Sequence, residues 1–158
     1  MDVAEKIVGL TELDRLMQHW RGVGDSIVFA NGCFDILHVG HVSLLNHCAE
    51  LGDRVVVGLN SDNSVKKLKG DSRPINNQDS RALILASLKN VDAVIVFDEE
   101  TPLELIKHIL PNVLVKGGDY KESDIVGADI VKANGGKIAI VPLVAGVSTT
   151  NLINNIKE

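Results

Sequence analysis

Five short apolar runs, each separated from the next by a helix-like stretch, constrain the fold of this chain more than any other feature. Residues 26–30, 54–60, 93–97, 113–115 and 137–141 have the length and content of strands, and the second is too apolar to be half exposed. Helical patterns lie between them: 42–51, stopped by Gly52; 61–68; 79–88; a segment opened by Pro102 and reaching about Leu110; and 124–133, closed by Asn134-Gly135-Gly136. A last helix is expected over 149–156. Alternation almost throughout predicts right-handed βαβ crossovers. The expected class is therefore α/β, a doubly wound parallel sheet of about five strands with helices on both faces. Ahead of the first strand, Thr11, with Asp14 at the N3 position, is expected to cap a helix carrying Leu13, Leu16, Met17 and Trp20. The chain then reads as one domain, 1–158, with 1–24 a helical extension of a core over 25–158.

Composition agrees with a buried parallel sheet. Apolar residues make up 45% of the 158 but aromatics only 3%, so the core must be built from Val, Ile, Leu and Ala. A net charge of -5 argues against a general nucleic-acid binder while leaving room for a local anion site. The two cysteines, Cys33 and Cys48, form neither a disulfide framework nor a CxxC zinc pair. No signal-peptide pattern and no apolar run of membrane-spanning length occurs. A cytoplasmic location without membrane or nucleic-acid partners is expected.

Ligands of such sheets bind beyond the carboxyl ends of the strands. After the first run stands Asn31-Gly32-Cys33-Phe34-Asp35-Ile36-Leu37-His38-Val39-Gly40-His41. There a strand hands over to a helix, where free N–H groups and the positive end of the helix dipole suit a phosphate. His38 and His41, three residues apart, share one face at a helix start. Gly32 and Gly40 permit close approach of the backbone to a ligand. Two imidazoles can steady a phosphoryl group, and an imidazolium would add charge. Neither GxGxxG nor GxxxxGK[ST] is present, which disfavours nicotinamide and P-loop chemistry. Ser148, Thr149 and Thr150 follow Gly146 and open the last helix, one as an N-cap and the three together as an anion cradle. Lys66, Lys67 and Lys69 precede a glycine- and proline-containing loop, a candidate lid from which Lys69 or Arg73 can close on phosphates. Arg81, on the next helix, is a further candidate phosphate ligand.

The stretch Cys33–His41 resembles the HxGH signature of the nucleotidyltransferase superfamily in its cytidylyltransferase-like branch, and Gly146-Val147-Ser148-Thr149-Thr150 resembles that branch's second signature. Residues 31–35, 68–76 and 114–120 resemble more closely the heptose 1-phosphate adenylyltransferases, a likeness running from about Lys6 to the end. The resemblance implies a Rossmann-like HxGH nucleotidyltransferase fold. It also implies attack of D-glycero-β-D-manno-heptose 1-phosphate on the α-phosphorus of ATP, giving ADP-sugar and pyrophosphate. ATP and a sugar 1-phosphate would be the partners. Mg2+ would accompany the triphosphate with no protein ligand assigned, and no organic cofactor is expected.

By the same resemblance His38, His41 and Lys69 are the candidate catalytic residues. Asn31, Gly32, Cys33, Phe34, Gly40, Arg81, Lys116, Gly117, Asp119, Ser148, Thr149 and Thr150 are candidates for the nucleotide, with Lys116 to Asp119 lining base and ribose. Asp35 and Arg73 are candidates for the sugar phosphate, and Asp35 is equally placed to orient a histidine. Cys33 read plainly is a small buried residue, and Phe34 is as well suited to the core as to a nucleotide wall. Glycerol-3-phosphate cytidylyltransferases usually carry an arginine just before the serine-threonine motif. Pro142-Leu143-Val144-Ala145 stands there instead, which weakens a CTP-using reading. That reading and a non-catalytic nucleotide-binding regulator remain the alternatives. The kinase to which such transferases are often fused is not in this sequence, so a stand-alone transferase is expected, and a homodimer is permitted.

Overall fold

The computed structural model describes residues 1–158. Strands β1 (Ile27–Gly32), β2 (Arg54–Asn60), β3 (Ala93–Phe97), β4 (Val113–Gly117) and β5 (Lys137–Val141) form one sheet in the order β3-β2-β1-β4-β5. Every pairing is parallel. The helices are α1 (Leu10–Gly22), α2 (Val39–Leu51), α3 (Asp62–Lys69), α4 (Gln78–Ala86), α5 (Leu103–Ile109), α6 (Ala128–Ala133) and α7 (Thr149–Lys157). Side chains alternate across each strand, so β1 serves two cores. Ile27 and Phe29 pack with residues of α1, α5 and α6, while Val28 and Ala30 pack with those of α2 and α4. Right-handed crossovers running in opposite directions along a sheet must lie on opposite faces. α2 and α4 lead from β1 out to β3, and α6 leads from β4 to β5, so the chain parts between β1 and β4 and opens a crevice there.

Four details depart from the sequence expectation. α2 begins at Val39 rather than 42, because His38 itself is the N-cap. α1 is entered at Gly9, not Thr11, and Asp14 turns away from the helix end to meet His108 Nε2 at 2.7 Å. The helix expected over 124–133 is broken: a 3-10 turn covers Glu122–Asp124, and Gly127 adopts φ +82° before α6 starts. A Cβ at Gly127 would lie 2.9 Å from the Ile106 side chain, so this corner accepts only glycine. The segment read as an extension also shares the core of the sheet. Leu13, Met17 and Trp20 are buried there, each contributing roughly 1.5–3 kcal/mol of apolar burial, and Arg21 donates to the carbonyls of Ile109 and Leu110. No helix is long and apolar enough to cross a membrane.

Candidate active site

A cleft of about 690 Å³ runs along the carboxyl edge of the sheet, across the point where β1 and β4 part. That volume suits a nucleotide-sized ligand. Asn31, Gly32, Cys33, Phe34, His38, Gly40 and His41 line its centre. Lys69 and Arg73 come from the β2 side, Lys116 and Gly117 from the end of β4, and Ser148, Thr149 and Thr150 from the start of α7.

The backbone fixes the chemistry of the histidine pair. His38 Nδ1 accepts from Gly40 N at 3.0 Å, and His41 Nδ1 accepts from His38 N at 3.2 Å, a reciprocal cap on the first turn of α2. A nitrogen that accepts an N–H carries no proton, so each neutral ring holds its proton on Nε2. The rings stack with centroids 3.8 Å apart. Gly40 is required by this arrangement, since a Cβ there would lie 2.8 Å from His38 Cε1. Burial pushes the pKa of His38 below its ordinary value; burial and the neighbouring His38 ring push that of His41 down to about 4. The pair therefore consists of two neutral N–H donors at pH 7, without the added charge of an imidazolium.

Asp35 stands at the cleft wall, but its carboxylate is taken up by protein partners. Its carboxylate accepts from Arg73 Nε at 2.8 Å and from the backbone N–H groups of Ile75 and Asn76, and Asn76 Nδ2 donates to its carbonyl. Burial opposes its ionisation, but the Asn76 and Ile75 N–H groups and the Arg73 guanidinium outweigh that and hold its pKa below the ordinary range. The loop after α3 is thereby pinned to the β1–α2 connection. Arg73 spends only Nε on this contact, leaving its two terminal nitrogens without a protein acceptor at the cleft.

Arg81, expected to touch phosphate, lies outside the cleft and is 1% exposed. Its guanidinium donates to the carbonyls of Asn76, Cys33 and Asn60 and to Asp62 Oδ1, all within 2.7–2.9 Å. It is a strut tying three loops together behind the site. Asp119 is likewise absent from the cleft wall, and is exposed; its neighbour Tyr120 lines the wall instead, with Lys116 Nζ 5.1 Å from its ring centroid. Phe34 is 5% exposed, held at φ +45°, and packs its ring 5.1 Å from that of His41, so it serves core and cleft together. The Cys33 thiol is pushed up by burial against the pull of Lys69, Arg81 and Arg73, and stays protonated at neutral pH. Ser148 caps α7 by accepting from Asn151 N, and Thr149 Oγ1 donates to the carbonyl of Ile36, two residues before His38. The Thr150 hydroxyl and the Lys69 ammonium make no hydrogen bond to the protein.

Asn60, Glu100, Thr101, Tyr120 and Leu143 also line the cleft and were not singled out from sequence. Each stands at or just beyond the carboxyl end of a strand, so applying the strand-end rule to all five strands, rather than to the motifs alone, would have found them.

A crevice at the reversal of a parallel sheet, furnished with donors for a polyanion, belongs to the nucleotide-binding α/β enzymes that transfer nucleotidyl groups. The chain belongs to the cytidylyltransferase-like family, whose model matches residues 29–154, and it is a nucleotidyltransferase. It is 57% identical over 147 residues to the bifunctional protein HldE of Aliarcobacter butzleri, covering 93% of this chain and 30% of that protein. It is 48% identical over 152 residues to HldE of Gluconobacter oxydans, covering 96% and 32%. The chain thus spans about a third of the length of these curated relatives. Among solved structures, a lipopolysaccharide core biosynthesis protein from Thermoplasma volcanium superposes with a TM-score of 0.61 at 27% identity, covering 77% of this chain and 98% of that one. The pantoate-beta-alanine ligase of Francisella tularensis shares the fold with a TM-score of 0.63 at 17% identity, covering 96% and 76%.

Proposed function

We propose that this nucleotidyltransferase joins a sugar 1-phosphate, D-glycero-β-D-manno-heptose 1-phosphate, to the α-phosphate of ATP. The observation that carries the reading is the pair of backbone-locked imidazoles, both with Nε2–H free, in one cleft with Lys69, Thr150 and the two terminal nitrogens of Arg73, none of which has a protein partner. A phosphate oxygen of the sugar phosphate attacks the α-phosphorus, the bond from that phosphorus to the α–β bridging oxygen breaks, and pyrophosphate leaves with the electron pair. The nucleophile is already an anion, so no general base is needed. Charge grows on the leaving pyrophosphate and the α-phosphate oxygens, and donors aimed there beforehand lower the barrier. His38 and His41 take that role through Nε2–H, and Lys69 and Arg73 neutralise the phosphates.

The cleft has two unlike arms. Toward β4 and β5 it offers Val115, Gly117, Tyr120, Leu143 and Val144, a surface suited to a flat base. Toward β2 and β3 it offers Asn60, Glu100 and Thr101, a surface suited to a polyhydroxylated sugar. No three His, Cys, Asp or Glu side chains stand close enough to hold a metal, and the Asp35 carboxylate is already satisfied. The Mg2+ expected with the nucleotide would be held mainly by phosphate oxygens and water. The likeness to HldE proteins and to a lipopolysaccharide core biosynthesis protein supports a sugar-phosphate acceptor.

Pyrophosphate release tests the proposal. The chain is incubated with ATP plus heptose 1-phosphate, and separately with CTP plus glycerol 3-phosphate. Release in the first mixture alone is expected. Release only in the second replaces the assignment with a cytidylyl one, and none with any sugar phosphate leaves a nucleotide binder.

A further inference from the structure

Asn60 closes β2 at the cleft wall and is 3% exposed. Its side-chain amide is held in one orientation by a short relay. Ser64 Oγ donates its single proton to the carbonyl of Glu99 at 3.0 Å, so toward Asn60 that oxygen can only accept, and Asn60 Nδ2 donates to it at 2.9 Å. Ser64 is itself fixed, fully buried, with its N–H on Ser61 Oγ. The amide therefore cannot turn over without placing two acceptors face to face. Its Oδ1 receives no hydrogen bond from the protein, and it is not sealed off, since no buried side-chain oxygen or nitrogen in the protein lacks a partner. The backbone carbonyl of the same residue is held from behind by Arg81 Nη1 at 2.8 Å.

We propose that Asn60 Oδ1 is a preset acceptor that reads one hydroxyl of the sugar, making Asn60 a specificity-determining residue for the acceptor substrate. The inference rests on the proposed reaction and adds the group that recognises the sugar. A fixed carbonyl oxygen selects a donor, and in this reaction the donors without an anionic charge are the hydroxyls of the acceptor sugar, the ribose hydroxyls of ATP, which travel with the base, and the base N–H groups. Asn60 ends β2, next to β3, from whose carboxyl end Glu100 and Thr101 reach the same polar arm. The apolar arm suited to a base lies beyond β4. The hydroxyl donates its proton to Oδ1, no covalent bond changes, and a sugar lacking that hydroxyl leaves Oδ1 dry and unpaired.

The test is steady-state kinetics of the whole chain with heptose 1-phosphate and its singly deoxygenated analogues, for the parent protein, Asn60→Ala and Ser64→Ala. In the parent protein one deoxy position should raise KM for the acceptor about tenfold, the scale of one hydrogen bond, with KM for ATP within about twofold. In Asn60→Ala the parent sugar should suffer that same rise and the deoxy analogue no further one. Ser64→Ala, which frees the amide to turn over, should give an intermediate loss, and it carries the test if Asn60→Ala does not fold. A rise in KM for ATP instead of the sugar overturns the proposal, as does any variant that keeps full discrimination at every hydroxyl. A parent protein that turns over no sugar 1-phosphate overturns the proposed reaction, and this inference with it; the other failures overturn the inference alone.

Discussion

Replacing His38 by Asn and by Ala separates the two jobs of this ring. Nδ1 caps α2, and Nε2 carries the proton proposed to meet phosphate. An asparagine side chain places its oxygen close to where Nδ1 stands but is too short to reach the position of Nε2. It is also among the best N-caps, so His38→Asn should leave stability within about 0.5 kcal/mol. Alanine loses the cap and should cost about 1 kcal/mol, or roughly 2–4 °C in melting temperature for a chain of this size. Both variants lose the donor. Removing one donor aimed at a developing oxyanion costs about 10²–10³ in turnover, equivalent to ~2.7–4 kcal/mol. The paired assays are thermal melting and pyrophosphate release at saturating substrates. His38→Asn should melt with the parent protein yet lose turnover as far as His38→Ala does. An asparagine variant within threefold of parental turnover would refute the Nε2 assignment, and one that melted as low as the alanine variant would refute the cap.

Two further outcomes follow from buried charge. Arg81→Leu strips the hydrogen bonds from three carbonyls and from Asp62, and should lower stability by about 3–5 kcal/mol in urea titration; parental stability combined with weakened ATP binding would make Arg81 a ligand residue after all. The depressed pKa of His41 makes stability fall as pH drops. An unfolded histidine takes up its proton near 6.5 while the folded one waits until about 4, so between those values the unfolded state binds more protons and gains. Urea midpoints should decline from pH 6.5 toward 4, less steeply in His41→Gln, and an NMR titration of His41 centred near 6.5 would contradict this.

Much of the architecture was legible because it rests on local periodicity. β2, β3 and β5 have the bounds read from their apolar runs, and the strand–helix alternation left a parallel sheet as the economical solution. The signature between β1 and α2 was legible for a similar reason: strand end, glycines and histidines lie within a few residues of one another. The early start of α2 has a local cause, the His38 cap, whereas two other departures have non-local ones. The break at Gly127 comes from Ile106, a residue of another helix, and Asp14 leaves its own helix end for His108.

What sequence alone determined was the class of fold and the place of the anion site, because both depend on patterns read along the chain. Only the tertiary structure decided which polar groups remain free to act. Arg81 and Asp35 looked like ligands and are engaged by backbone and side-chain partners drawn from separate loops, whereas Asn60 looked like the end of a strand and keeps one oxygen unspent. The physical reason is hydrogen-bond saturation. A buried donor or acceptor must be matched, its match here comes from residues distant in sequence, and only the groups left over can hold a substrate.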